Sequence, residues 1–251
     1  MKKLLLIFLI VIFCLVFIAN KNGSSEAIIS NLIKKGQIQN GQLRYRIYLS
    51  GILPIGEAIL GTEQIEEYQG QKVYHLNAKA ESSKLFSKFF SGYAALDSYL
   101  DMQQLPILFR QKAIVTGKQD INKEVFYNQS EGFMSIGGVK RQIFPNTHDP
   151  LSAVFNLRRM DLEKASDFEM NLNTNQKNYI LEGTTEQKAL LINKKIFKIF
   201  VAKAEIRRQD NNPYHKSNIT VVFLKEKENI PILIKVFASG VLINAKLIEI
   251  E

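Results

Sequence analysis

The sequence predicts a mainly β fold, a long, curved antiparallel sheet with a short helix near its middle. From Leu43 onward, apolar residues recur at every second position, and residues 43–49 show this pattern of a half-buried strand clearly. Turn residues separate such segments at short, regular intervals, and few stretches carry a helical period. The sheet is expected to be either open and barrel-like or composed of two related half-sheets.

Twelve segments have strand-like patterns. They are residues 43–49, 55–65, 72–80, 94–100, 107–116, 123–128, 168–172, 177–181, 198–207, 218–224, 232–237 and 242–250. Several of them are apolar on both faces, notably residues 219–224 and 232–237. Such strands are covered on both sides, or they belong to a sheet that curls around something.

Helical spacing occurs at three places. The strongest is residues 149–159, where Asp149 is a good N-cap and Pro150 suits the first helical position. Residues 24–35 have the pattern of a short amphipathic helix. A third short segment places apolar side chains on one helical face: Leu85, Phe86, Phe89 and Phe90.

Similar features occur on both sides of the central helix. Tyr99-Leu100-Asp101 leads through a turn to Pro106, and Val222-Phe223-Leu224 leads through a turn to Pro231. Each proline is expected to open a strand, where its missing N–H removes no hydrogen bond of the ladder. Because strand–turn–proline combinations are common, both duplication and coincidence stay open.

The N-terminus has the form of an export signal. Met1-Lys2-Lys3 precedes an unbroken apolar run from Leu4 to Ala19, and the small residues Ser25 and Ala27 precede a suitable cleavage point. We therefore predict a signal peptide over residues 1–27, with an uncleaved N-terminal anchor as the alternative. The predicted location is the periplasm or cell envelope, and an uncleaved segment would contact the membrane.

The rest of the chain divides simply. Residues 28–42 are predicted to form a short amphipathic lead-in, and residues 43–251 a single β-rich domain. That domain is either undivided or built of two related halves that meet near residues 149–160.

Charge and cysteine content exclude several classes of function. The only cysteine, Cys14, lies inside the apolar run, so a chain cleaved after Ala27 has no thiol for a disulfide, a metal site or catalysis. The chain has a net charge of +9 but contains no block of five basic residues, so we do not expect it to bind nucleic acid. A basic surface is also compatible with attraction to anionic lipid headgroups.

No pattern of catalytic or metal-binding residues is found in the sequence. The three histidines, His75, His148 and His215, show no metal-ligand spacing, and no nucleophile elbow or phosphate-binding glycine loop is present. We predict that the protein is not an enzyme and uses no metal and no cofactor.

Four segments form a joint pattern: Leu43-Arg44-Tyr45 with residues 50–58, Tyr99-Leu100-Asp101 with Leu105-Pro106, residues 149–158, and Ile230-Pro231-Ile232. This pattern resembles the exported bacterial envelope proteins of Domain of Unknown Function 3108. The most specific part is the Asp-x-Leu-Ser-Ala helix that ends in Leu-Arg. The resemblance implies export and a long, curved antiparallel sheet, and it implies no activity, ligand or catalytic residue.

Five residues are candidates for ligand binding. Arg158 is predicted on the apolar stripe of the central helix, where its guanidinium could bind a carboxylate or phosphate headgroup, with Asp149 at the other end. The alternative is structural, with Asp149 as the helix cap and Arg158 supporting the last turn. The phenylalanines Phe86, Phe89 and Phe90 could line an apolar cavity or touch a membrane, or they could pack in the core.

Two functions follow as hypotheses. The first is a non-catalytic binding or carrier module that holds an amphipathic, lipid-like envelope ligand against the concave face of the sheet. It requires a cavity inside the sheet. The alternative is a structural or interaction protein that docks on an envelope assembly, through a sheet edge or an apolar patch. The expected partners are thus a lipid or an envelope protein.

Overall fold

The computed structural model describes residues 42–61, 63–88, 91–164, 166–174, 176–192, 194–209, 217–225, 229–238 and 240–250. The predicted signal peptide and nearly all of the lead-in therefore lie outside the described residues, as do Phe89 and Phe90. Within the described part of the chain, no helix is long and apolar enough to cross a membrane.

Fifteen strands and one α-helix make up this part of the chain. The strands are β1 (Leu43–Leu49), β2 (Leu53–Leu60), β3 (Gln64–Tyr68), β4 (Gln71–Ser82), β5 (Gly92–Leu100), β6 (Pro106–Val115), β7 (Ile121–Asn128), β8 (Phe133–Ile136), β9 (Val139–Gln142), β10 (Asp167–Thr174), β11 (Lys177–Ile192), β12 (Lys195–Arg208), β13 (Ser217–Lys225), β14 (Asn229–Ala238) and β15 (Val241–Ile250). The helix, α1, spans Pro150–Arg159, and a short 3₁₀ turn spans Phe86–Lys88.

The strands form one antiparallel sheet, which confirms the predicted fold class. Its order is β10-β11-β12-β13-β14-β15-β1-β2-β4-β5-β6-β7-β8-β9, and β3 pairs with β4 outside this path. The first and last strands, β1 and β15, are neighbours in the middle of the sheet. The strands before α1 thus form one side of the sheet, and the strands after it form the other.

The two ends of the sheet approach each other without a continuous ladder between them. The segment that follows β9 meets β10 at one bridge, where His148 N donates to Asn171 O and Asn173 N donates to His148 O, both at 2.8 Å. Two side-chain amides also join the ends of the sheet along this line, which we call the seam. Asn171 Nδ2 donates to Pro145 O at 2.8 Å, and Asn178 Nδ2 donates to Gln142 O at 3.0 Å. The sheet is therefore a curled and nearly closed barrel.

The helix α1 lies inside this curl. It packs against β4 and β5 from one side of the sheet and against β10 and β14 from the other. Its buried residues lie on more than one face of the helix: Leu151, Ser152, Ala153, Phe155, Leu157 and Arg158. The strands β13 and β14, whose sequences are apolar on both faces, thus belong to a sheet that curls around the helix.

Several strand boundaries differ from the sequence prediction. The predicted strand at 55–65 is two strands, because the chain bends at Gly61, whose N–H donates to Asn77 O at 2.9 Å. A side chain at Gly61 would collide with that of Asn77, so a residue without a side chain suits the bend. The short strands β8 and β9 were not predicted as strands, although the turn between them at Gly137-Gly138 fits a hairpin.

The two proline hairpins share a local geometry. In the β5–β6 pair the register shifts between Tyr99 and Leu100, and Leu100 lies opposite Pro106. In the β13–β14 pair it shifts between Val222 and Phe223, and Phe223 lies opposite Pro231. A proline that cannot donate to the ladder is thus accommodated at a register shift in both halves.

Candidate functional site

Asp149 is a buried N-cap of α1. Its Oδ1 accepts hydrogen bonds from Leu151 N at 2.7 Å and Ser152 N at 3.0 Å, and its Oδ2 accepts one from Ser98 Oγ at 2.5 Å. Burial raises the pKa of the Asp149 carboxyl, and the hydrogen bonds from Ser98 and from the helix N-terminus oppose this rise. All three hydrogen bonds to the carboxyl group are structural, so the capping interpretation of Asp149 accounts for its position.

Arg158 lies at the other end of α1 and is also buried, with 8% of its surface exposed. Its guanidinium carbon is 5.1 Å from the centre of the Phe155 ring, a distance at which a cation is attracted by the ring face. Burial raises the pKa of the Tyr45 hydroxyl, and the nearby charge of Arg158 opposes this. The buried guanidinium therefore lies near two aromatic side chains, Phe155 and Tyr45.

The end of α1 is also fixed by an amide. Asn229 Nδ2 donates to the carbonyl oxygens of Arg158 and Met160, each at 2.9 Å. The last carbonyls of a helix lack partners within the helix itself. Met160 O also accepts a hydrogen bond from Leu162 N at 2.9 Å. Asn229 on β14 thus stabilises the C-terminus of α1, as Ser98 and Asp149 stabilise its N-terminus.

The space between α1 and the strands is a small apolar cavity. Its volume is about 40 Å³. Its walls include Val154, Leu157, Leu172, Leu181, Phe223 and Ile234. A drug-sized ligand occupies a pocket of roughly 300–1,000 Å³. Neither Asp149 nor Arg158 lines this cavity, so the structure does not bring the two predicted polar residues together with an apolar ligand site.

The phenylalanine segment lies elsewhere. Phe86 is half-buried in the 3₁₀ turn, which packs against β2, and its N–H donates to Ser83 Oγ at 3.3 Å. Neither Phe86 nor the described neighbours Leu85 and Lys88 line the cavity beside α1.

A cluster of titratable groups lies on the outer face of β3, β4 and β5. His75 Nε2 is 2.9 Å from Asp97 Oδ1, and His75 Nδ1 is 3.2 Å from Glu66 Oε1. The imidazole stacks on the Tyr99 ring, with centroids 4.4 Å apart. The hydrogen bond to Asp97 raises the pKa of His75; burial opposes this, and Glu66 adds to it.

Sequence reasoning did not find this cluster, because its members lie on three strands and meet only through strand register. His75 lies opposite Gln64 on β3 and opposite Tyr99 on β5. Within the described part of the chain, no group of three histidine, cysteine or carboxylate side chains is arranged to hold a metal ion. The arrangement favours a protonated imidazole between two carboxylates.

His148 does not pair with the adjacent Asp149. Its Nε2 is 3.0 Å from Asn156 Nδ2, and its Nδ1 has no hydrogen-bond partner among the described residues. Burial lowers the pKa of His148 to about 4. The side chain is therefore neutral at physiological pH, and it lies in the seam next to its bridge with Leu172.

Among the described residues after α1, the most exposed large apolar side chains lie on the β11–β12 hairpin. Strand β10 pairs with β11 only as far as Thr184, and β13 pairs with β12 only as far as Ile199. Beyond these points, apart from one hydrogen bond from Thr185 N to Ser166 O, the described strands of the hairpin pair only with each other. We call residues 186–192 and 195–198 the arm.

The arm carries apolar side chains on both faces. Leu191 and Ile196 lie opposite each other, with 63% and 75% of their surfaces exposed. Leu190 and Phe197 form the next cross-strand pair, on the other face, where they are half-buried and pack against the hydrophobic core. The sequence prediction ended the first of these strands at residue 181 and began the second at residue 198, so it missed the arm.

Comparison with known proteins identifies the fold alone. No protein-family model and no curated protein matches the sequence. The structure is similar to the crystal structure of a beta-barrel-like protein of Domain of Unknown Function 1849 from Brucella abortus. The TM-score is 0.57 at 11% sequence identity, over 84% of this chain and 97% of that chain. The similarity supports the barrel-like antiparallel sheet, and the relation to Domain of Unknown Function 3108 stays a prediction.

Proposed function

We propose that this chain is a non-catalytic interaction protein of the bacterial envelope that docks on its target through the arm. The observation that carries the proposal is the exposed pair Leu191 and Ile196 at the end of a hairpin that extends beyond both neighbouring strands. Large apolar side chains exposed together mark interaction sites in soluble proteins.

The position of α1 inside the sheet favours a docking protein over a carrier of a lipid-like ligand. The helix α1 occupies the inside of the curl, and the cavity beside it has a volume of about 40 Å³. Both ends of α1 are fixed by buried hydrogen bonds, from Ser98 to Asp149 and from Asn229 to Arg158. An acyl chain could therefore enter this cavity only if α1 moved.

The positive charge of the edge strand β9 favours docking through the apolar arm over docking by addition of a partner strand to this edge. The described edge strand β9 is exposed along its whole length and carries Lys140 and Arg141. Basic side chains on an edge strand disfavour pairing with another strand. Lys140 also lies 3.9 Å from the Phe133 ring, a contact that holds it across the hairpin.

The location and the family are part of the proposal. The apolar run of residues 4–19 supports export, and the helix motif at residues 149–158 supports a relation to Domain of Unknown Function 3108. Fractionation of cells that express the full chain tests the first point, since the protein is expected with the envelope and not with the cytoplasm.

Site-specific photocrosslinking tests docking through the arm. A photoreactive amino acid at Leu191 is compared in intact cells with one at Ile65, which is 62% exposed on β3. We expect crosslinked products, to protein or to lipid, from position 191 and none above background from position 65. Equal yields from both positions, or none from either, would contradict the proposal.

The carrier function is the second candidate, because the cavity beside α1 has an apolar lining of the kind that holds a hydrocarbon chain. Native mass spectrometry of protein purified without detergent from its own envelope tests it. A discrete adduct that extracts as lipid would support the carrier function. A clean mass for the unmodified chain would contradict it.

A further inference from the structure

We infer that the target of the arm is the surface of an anionic lipid bilayer, with the apolar end of the hairpin inserted at the interface. This inference rests on the proposed docking function and names its partner. Three properties of the arm carry it: its reach, its exposed apolar face and its charge.

The arm is long enough to reach a surface ahead of the rest of the sheet. Strand β11 continues for seven residues after Thr185, its last residue with a hydrogen bond toward the β10 side. At a rise of about 3.3 Å per residue, these residues span about 23 Å. A two-stranded hairpin of this kind is marginally stable in water by itself, so contact with another surface would stabilise it.

The exposed face of the arm suits a lipid interface. The Leu191–Ile196 pair occupies this face, and the Leu190–Phe197 pair on the other face packs against the hydrophobic core. The exposed pair can therefore enter the interface while the opposite face stays attached to the protein. The backbone groups at the edges of a two-stranded hairpin need water, so such an element can enter the interface and cannot cross the hydrocarbon.

The charge of the arm complements anionic headgroups. Residues 186–198 contain four lysines against one glutamate, a net charge of +3, with Lys194 at the turn. Lys188 pairs with Glu186 at 3.2 Å and Lys198 with Glu163 at 2.8 Å. These ion pairs are exposed and therefore weak, so the lysines can exchange carboxylates for lipid phosphates. Basic residues around an apolar tip are typical of interfacial membrane binding.

A tryptophan probe tests the insertion directly, because the chain contains no tryptophan of its own. The full-length variant Ile196→Trp is mixed with vesicles of phosphatidylcholine alone or of phosphatidylcholine with phosphatidylglycerol. We expect a blue shift of its fluorescence, and quenching by brominated acyl chains, only with the anionic vesicles. The matched control Ile65→Trp replaces a similarly exposed residue on β3 and should show neither change.

The control also accounts for the N-terminal apolar run, because both variants contain it and a difference between them reports the arm alone. In the Ile196→Trp background, Lys194→Gln should weaken vesicle binding by about fivefold, the effect of roughly 1 kcal/mol for one lysine at an anionic surface. Leu191→Ser should weaken it by tenfold or more, since roughly 1.5–3 kcal/mol accompanies burial of one leucine. Unchanged unfolding midpoints establish that these variants fold.

No blue shift with either vesicle, or equal quenching at positions 65 and 196, would overturn the inference. If photocrosslinks from position 191 then lead to an envelope protein, docking through the arm stands and the lipid target is wrong. If those crosslinks are absent as well, both proposals fail.

Discussion

Ser98 and Asp149 join strand β5 to the start of α1 by a hydrogen bond of 2.5 Å between two fully buried side chains. The carboxylate uses its other oxygen to cap the helix, through Leu151 N and Ser152 N. One side chain thus fixes both where the helix begins and which strand it packs against. The filled interior of the sheet depends on this contact.

We expect Asp149→Ala to destabilise the protein by about 2–4 kcal/mol. The substitution removes an N-cap, worth about 1 kcal/mol, and leaves the Ser98 hydroxyl buried without its acceptor, worth about 1–3 kcal/mol. Urea unfolding followed by circular dichroism measures the loss. The control is Asp120→Ala at an exposed position before β7, which should change stability by less than about 0.5 kcal/mol. Equal effects at the two positions would contradict the capping role.

The sequence predicted α1 because its signals are local. Asp149, Pro150 and the apolar spacing that follows lie within one short segment, and the observed helix begins and ends as expected. The alternation of apolar and polar residues in β1 and β5 predicted these strands equally well, because one face of each strand is more deeply buried than the other.

Features that depend on pairing between distant segments could not be predicted. In β11 the polar residues 184–188 show no alternation of apolar and polar side chains, and beyond Thr185 only the ladder with β12 extends the strand to Ile192. His75, Glu66 and Asp97 meet because of the register of β3, β4 and β5. A single sequence contains no signal for either arrangement.

The buried hydroxyl of Tyr45 makes a specific bond that a phenylalanine cannot replace. The hydroxyl donates a hydrogen bond to Pro231 O at 2.8 Å and so connects β1 with β14. Pro231 lies opposite Phe223, at the register shift between β13 and β14. We expect Tyr45→Phe to lower the free energy of unfolding by about 1–2 kcal/mol, because the carbonyl loses its buried donor. Tyr93→Phe on β5, at a half-buried position, is the matched control. A loss no greater than that of the control would mean that water replaces the hydroxyl.

Gly183 lies where three neighbours leave no room for a side chain. A Cβ atom there would be 2.4 Å from Lys203 O, 2.6 Å from Phe168 Cζ and 2.7 Å from Ala204 Cβ. Because a backbone oxygen cannot move away easily, we expect Gly183→Ala to destabilise the protein by about 3 kcal/mol. Gly117→Ala meets nothing within 4 Å but has a φ of +71°, so it should cost only about 1 kcal/mol of backbone strain.

Chemical denaturation of the two glycine variants under identical conditions tests this comparison. Adding Phe168→Leu to Gly183→Ala removes one of the close contacts and should recover part of the lost stability. A Gly183→Ala protein as stable as Gly117→Ala would show that β11 and β12 can separate at this point without loss.

His75 should make the stability of the protein depend on pH near neutrality. Its pKa in the folded protein is raised above the ordinary value of 6.5, because Asp97 and Glu66 favour the imidazolium. The stabilisation is therefore fully present below about pH 6.5 and is lost as the pH rises through the raised pKa. His148 has the opposite effect, since its pKa of about 4 makes the folded state lose stability as the pH falls below 6.5.

Comparison of the wild type with His75→Gln separates the two histidines, because His148 is common to both proteins. The stability difference between them should be largest at pH 6 and below, and it should shrink as the pH rises through the raised pKa of His75. Nuclear magnetic resonance titration of the imidazole Cε1 protons assigns the effect: His75 should titrate above 6.5 and His148 near 4. A His75 resonance that titrates at or below 6.5 would contradict this prediction, since it would mean that burial outweighs the stabilisation of the imidazolium by the two carboxylates.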